Sequence, residues 1–165
     1  MVALPVRVDL IVHARWVIPV EPEDVVHDDS CIVVHEGLIV AILPSSNVDA
    51  LYVGDEVLHL ADHAVMPGLV NAHTHAGMTL LRGFAEDLPL DEWLMTAVWP
   101  TEARLMSPGY VRASTELAIA EMIKGGTTCF FEMYFHPEVT AEVVLQTGIR
   151  SLVGLTLMGT KILLF

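Results

Sequence analysis

The sequence predicts an α/β protein: a small β-rich subdomain, residues 1–64, followed by residues 65–165, in which strands alternate with helices. Three observations carry that expectation. Before residue 65, apolar residues recur at a spacing of two or in short β-branched runs, and no helix-period pattern competes. After it, apolar runs bounded by Gly or Pro alternate with stretches of helical spacing, which implies a parallel sheet with helical crossovers. Between the two, Pro67-Gly68 breaks the chain just ahead of a short apolar run that ends at His73-Thr74-His75.

Taken in order, residues 6–12 alternate apolar and polar and then turn apolar, as a half-buried strand does. Residues 31–35 form a second strand, Glu36-Gly37 a turn, and residues 38–43 the returning strand; glycine at the turn permits positive φ. Residues 56–60 complete the first segment. In the second, residues 69–72 read as a buried strand. Residues 90–105 are a loosely marked helix interrupted by Pro100. Residues 107–124 are a strongly marked one: Ser107 caps it, Pro108 fits its first position and Gly125-Gly126 ends it. Its apolar positions Val111, Leu117, Ala118, Met122 and Ile123 are expected on one side. A strand over residues 127–135, a helix over 137–146 and a strand over 149–158 follow.

Composition narrows the function classes. The 165 residues suffice for a real core, and 53% of them are hydrophobic. Eight Lys and Arg stand against 21 Asp and Glu, a formal charge of -13. That balance argues against nucleic acid and anionic lipid as partners, because both are gripped by clustered basic charge. Cys31 and Cys129 lie far apart in apolar runs without metal-type spacing, which favours a reducing cytoplasm over a disulfide framework. The N-terminal residues show no signal-peptide pattern, and the apolar runs fall short of the ~20 residues a spanning helix needs.

The sharpest chemical signal is His73-Thr74-His75. Residues two apart on a strand face the same way, so both imidazoles can reach one ion. They also close a strand at the end where α/β barrels keep their active sites. Neutral imidazole suits zinc and similar metals. By itself the spacing also fits two histidines in an ordinary loop.

The wider context bears on that choice. The run from Val65 through Pro67-Gly68, Asn71 and Ala72 to His73-Thr74-His75 resembles the signature that closes the first barrel strand of the amidohydrolase superfamily. Met78-Thr79-Leu80-Leu81-Arg82-Gly83-Phe84, Asp87-Leu88-Pro89-Leu90, Glu92-Trp93-Leu94 and Glu121-Met122-Ile123-Lys124-Gly125-Gly126-Thr127-Thr128 are similar to one branch of it. That branch holds the methylthioadenosine/S-adenosylhomocysteine deaminases and the triazine hydrolases. The resemblance implies the first strands and helices of a (β/α)8 TIM-type barrel, preceded by a small β subdomain. It implies one divalent metal held by His73 and His75, with Zn2+ expected and Fe2+ the alternative. It places Glu102 and Trp93 at the substrate, where a carboxylate suits vicinal ribose hydroxyls. The implied reaction is hydrolytic deamination of an adenosine-like nucleoside, with water as co-substrate; guanine or cytosine deamination and chlorotriazine hydrolysis are the alternatives within the class. A homo-oligomer is compatible with it.

Other residues are read more plainly. Arg82 is expected in a structural salt bridge rather than at an anion. Glu132 is expected as a strand residue near the rim, with support of a metal-bound histidine as the rival reading. His136 is more readily a loop residue than a substrate contact. The remaining histidines share no ligand spacing.

A (β/α)8 barrel takes about 250 residues, so the barrel is expected to be incomplete in this chain. The resemblance puts a further His ligand, a catalytic His and Glu, and an Asp on later strands, and no catalytic residue is expected here. Residues 160–165 look unlike an active-site loop. A non-catalytic remnant or a chain that docks on a partner is the rival from another class. A stand-alone β-sandwich module conflicts with the β/α alternation.

Overall fold

The computed structural model describes residues 4–156, and these divide after Pro67 into two compact units. In the first unit, β1 (Val6–Val17), β2 (His27–His35), β3 (Leu38–Pro44) and β4 (Tyr52–Val65) form one sheet in the order β3-β2-β1-β4. β1 pairs antiparallel with β2 and parallel with β4. The expected turn is a tight one: Glu36 (φ 50°) and Gly37 (φ 75°) both take positive φ, the backbone that matches the twist of two hairpin strands. The parallel β1–β4 pair needs a longer connection, and a 3-10 helix, Ser45–Ala50, lies within it. That helix was not foreseen. Its Val48 closes a core with Val8, Ile11, Cys31 and Val33.

The second unit is α/β as expected. β5 (Leu69–Thr74), β6 (Thr127–Met133) and β7 (Arg150–Gly154) form a parallel sheet in that order. A 3-10 helix, Ala76–Leu81, follows β5 directly. A helical stretch then runs through α1 (Leu90–Glu92), a π-helical turn (Trp93–Val98) and α2 (Trp99–Leu105). Pro100 therefore does not interrupt the helix as expected. It has no N–H for the carbonyl four residues back and its ring crowds that carbonyl, and the wider π turn directly before it takes up the misfit.

α3 (Pro108–Lys124) begins as the sequence requires: Ser107 accepts a hydrogen bond from the Tyr110 amide at 3.3 Å, and Pro108 opens the first turn. Its buried face differs from the expected one. Val111 and Ala118 are buried, with Ser114, Thr115 and Ile119, whereas Leu117 and Ile123 are exposed. The small polar residues allow close packing that an apolar-only pattern does not anticipate. α4 (Pro137–Thr147) ends at Gly148 (φ 76°), a left-handed stop that glycine takes without a Cβ clash. Ala76, Ala118, Ile119, Phe130, Val143 and Ile149 form the core of this unit.

β7 starts and ends inside the strand expected over 149–158; residues 157–158 of that range, and 160–165, lie outside the described residues. No helix among the described residues is long and apolar enough to cross a membrane.

Candidate active site

The site forms where β5 ends. Along β6, buried Phe130 and Glu132 alternate with the more exposed Phe131 and Met133. Thr74 meets Glu132 across the β5–β6 ladder, so the two histidines on either side of Thr74 fall on the other face. There His73 Nε2 lies 3.3 Å from His75 Nε2, and the rings meet edge to face. His75 Nδ1 donates to the Met133 carbonyl at 2.7 Å. A carbonyl only accepts, so that bond fixes the proton on Nδ1; a neutral His75 then turns its Nε2 lone pair toward His73. The backbone amide of His73 donates to Asn71 Oδ1 at 3.3 Å.

This arrangement fits a divalent metal. Two nitrogens bound at about 2.0–2.1 Å with tetrahedral angles stand about 3.3 Å apart, which is the separation of these two. The carbonyl partner on the far ring nitrogen is the support that metal-bound histidines ordinarily have. Among the described residues, no further His, Cys, Asp or Glu joins the pair to make a set of three.

His75 also lines a cavity of about 290 Å³, close to the size of a small-molecule site. Trp93, Glu102, Tyr134 and Phe135 line it too. The structure thus brings Trp93 and Glu102 together with His75. Trp93 opens the π-helical turn, and Glu102 projects from α2. Glu102 is buried and accepts from the Tyr134 hydroxyl at 2.5 Å. Burial pushes its carboxyl up; the Tyr134 bond and the nearby His75 pull the other way. The same burial, with Glu102 beside it, pushes the Tyr134 phenol far up, so the phenol stays a donor.

No motif in the sequence marks Tyr134, and its position depends on a glycine. A Cβ on Gly77 would stand 2.3 Å from the Tyr134 ring. The glycine two residues beyond His75 therefore lets the ring pack against the loop and carry its hydroxyl to Glu102. The available signal was the period of two that runs from Phe130 through Glu132 to Tyr134.

Glu132 departs from expectation. It is buried, not a rim residue, and its Oε2 accepts from the Thr74 hydroxyl at 2.7 Å and from the Ala76 amide at 2.8 Å. Burial pushes this carboxyl up as well. Arg82 is the structural residue expected of it, paired with Glu121 at 2.5 Å. His136 takes a left-handed backbone (φ 51°, ψ 54°) ahead of α4, with Nδ1 3.3 Å from Glu138, and it does not line the cavity with His75.

Comparison with known proteins supplies the wider setting. The chain is 41% identical over 150 residues to a 5-methylthioadenosine/S-adenosylhomocysteine deaminase of Saccharophagus degradans, a match that covers 91% of this chain and 34% of that protein. An adenosine deaminase from Xanthomonas campestris, solved with bound zinc, superposes with a TM-score of 0.89 at 49% identity, over 91% of this chain and 34% of that one. A triazine hydrolase from Arthrobacter aurescens shares the fold (TM-score 0.77, 19% identity), over 86% of this chain and 34% of that one. The chain thus spans about a third of the length of the relatives it matches. Residues 64–164 match the amidohydrolase family, and that range takes in β5, both histidines and every described element after them, so the chain belongs to the amidohydrolase family.

Proposed function

We propose that the protein bearing this chain is a metal-dependent hydrolase that removes ammonia from an adenosine-like nucleoside, of the 5'-methylthioadenosine or S-adenosylhomocysteine kind. The observation that carries this reading is the pair of Nε2 atoms at 3.3 Å beside a cavity that also holds Glu102 and Trp93. The names of the similar deaminases, and the zinc bound in one of them, favour it.

In this reading His73 and His75 hold one divalent cation, with zinc expected. When bound, the metal supplies Lewis-acid activation of water. The residues of the chain do the rest of what this segment contributes. Met133 fixes the tautomer of His75 through its carbonyl. Trp93 offers an apolar wall for a purine ring. Glu102 keeps three of its four lone pairs after accepting from Tyr134, enough to take both hydroxyls of a ribose. The groups that move protons are expected elsewhere in the whole protein, as is the remainder of a (β/α)8 barrel. A cytoplasmic setting is part of the same proposal.

The test uses the complete protein. Elemental analysis is expected to find zinc, and substitution of His73 or His75 by Ala to remove it. Ammonia release is expected from 5'-methylthioadenosine or S-adenosylhomocysteine, and Glu102→Ala should raise KM more than it lowers kcat. No ammonia from any aminopurine nucleoside would sink the deaminase reading. Activity on guanine, cytosine or a chlorotriazine instead would move the substrate within the class.

A further inference from the structure

Between the two histidines stands Thr74, whose side chain faces away from them toward a buried carboxylate. Glu132 is 1% exposed. Its Oε2 accepts from the Thr74 hydroxyl, which also lies 2.7 Å from the Phe131 carbonyl, and from the backbone amide of Ala76. These two donors flank His75. The third bond to this loop runs from His75 itself to the carbonyl of Met133, the residue after Glu132. One end of β6 thus holds residues 74, 75 and 76 in succession.

The strand ladder does only part of this work. The β5–β6 register shifts between Asn71 and Thr74, and the ladder ends at the Thr74–Glu132 pair, before His75 and Ala76. A carboxylate is also a costly choice for a buried strand position. Its other oxygen, Oε1, is buried with no hydrogen-bond partner among the described residues. An apolar residue would fill the same position without that cost. What the side-chain oxygen of Glu132 provides, and no apolar residue can, is a single acceptor for both donors at once.

Resting on the reading of His73 and His75 as metal ligands, we propose that Glu132 is the positioning residue of that pair. It ties the backbone and side chain on either side of His75 to β6, and so holds the two Nε2 atoms at a metal-binding separation. It touches neither metal nor substrate.

The experiment compares wild type, Glu132→Ala and Glu132→Gln in the complete protein. Zinc affinity is read by competition with a chromophoric chelator, and ligand geometry by the visible absorption of the cobalt-substituted protein. Loss of a partner of this kind typically costs about 10–100-fold in metal affinity, so Glu132→Ala should weaken zinc by that order and move the cobalt bands. Glu132→Gln keeps an oxygen that accepts from both donors, and should restore most of the affinity and the wild-type spectrum. Should Glu132→Ala fail to fold, Thr74→Val takes its place, because it deletes one of the two bonds at nearly constant shape. Weakened zinc and a shifted spectrum support the proposal there too; unchanged values overturn it. A wild type that holds no zinc sinks the metal reading and this role together. A wild type that holds zinc no more tightly than a folded Glu132→Ala sinks only the role of Glu132.

Discussion

At the scale of single residues, the cavity beside His75 rests on a chain of two contacts. Gly77 leaves room for the Tyr134 ring, Tyr134 donates to Glu102, and Glu102 is buried by that arrangement. Gly77→Ala drives a methyl group into a buried ring, which costs about 1–3 kcal/mol, and it should loosen the Tyr134–Glu102 bond as well. Urea unfolding of wild type and variant measures the loss, and equal midpoints would contradict it. Glu102 gives a pH dependence of known sign. Burial raises its carboxyl above the ordinary value of 4.5. Its contribution to stability is therefore complete below the unfolded value and lost as pH rises through the folded one. Glu102→Gln can still accept from Tyr134 and has no charge to desolvate. The gap in Tm between this variant and wild type should widen in favour of the variant from about pH 4 to neutral pH. A gap that stays constant would contradict the assignment.

At the scale of elements, caps and breaks were legible because their chemistry is local. Ser107, Pro108 and Gly148 act through their own backbone and its nearest neighbours, and all three lie where the sequence puts a helix start or stop. Ser107→Ala should cost about 1 kcal/mol through the lost bond to the Tyr110 amide, read as a lowered urea midpoint. The helical stretch around Pro100 was only half legible. A proline announces a disturbance, but whether the helix breaks, kinks or widens depends on what its side chains pack against. Here Trp93, Val98 and Trp99 all line the cavity with His75, and the π turn keeps the chain helical while it faces them there. The buried face of α3 departs from its apolar pattern for a related reason. Ser114 and Thr115 are fully buried, and hydrophobic periodicity alone assigns such residues to the surface.

At the scale of the whole molecule, the second unit covers its sheet on one face only among the described residues. Helices pack on the face that carries Phe130, while Val70 and Leu152 on the flanking strands are exposed. Among the described residues β5 and β7 are the edges of that sheet. Exposed apolar edges pair with other chains, and the formal charge of -13 opposes such pairing most strongly at low salt. The 165-residue chain expressed by itself should therefore associate, and more so as salt is raised. Leu152→Lys should reduce the effect. Light scattering tests this; a monodisperse monomer of the unmodified chain at high salt would contradict it. The chain spans about a third of the length of each relative it matches.

By itself the sequence determined the α/β class, the order of the strands and the longer helices, and the candidate ligands His73 and His75. Those features depend on period, caps and a two-residue spacing, each readable within a short window. It pointed to Glu102 and Trp93 only through resemblance, because they stand far along the chain from the histidines. The tertiary structure alone decided that His75, Trp93 and Glu102 share one cavity, that Tyr134 belongs with them, and that Glu132 is buried behind the histidine loop. The burial of Glu132 behind that loop depends on β6 lying beside β5 in a particular register, and the register of strands more than fifty residues apart is fixed by which of their faces the folded sheet buries, which no short window of sequence contains.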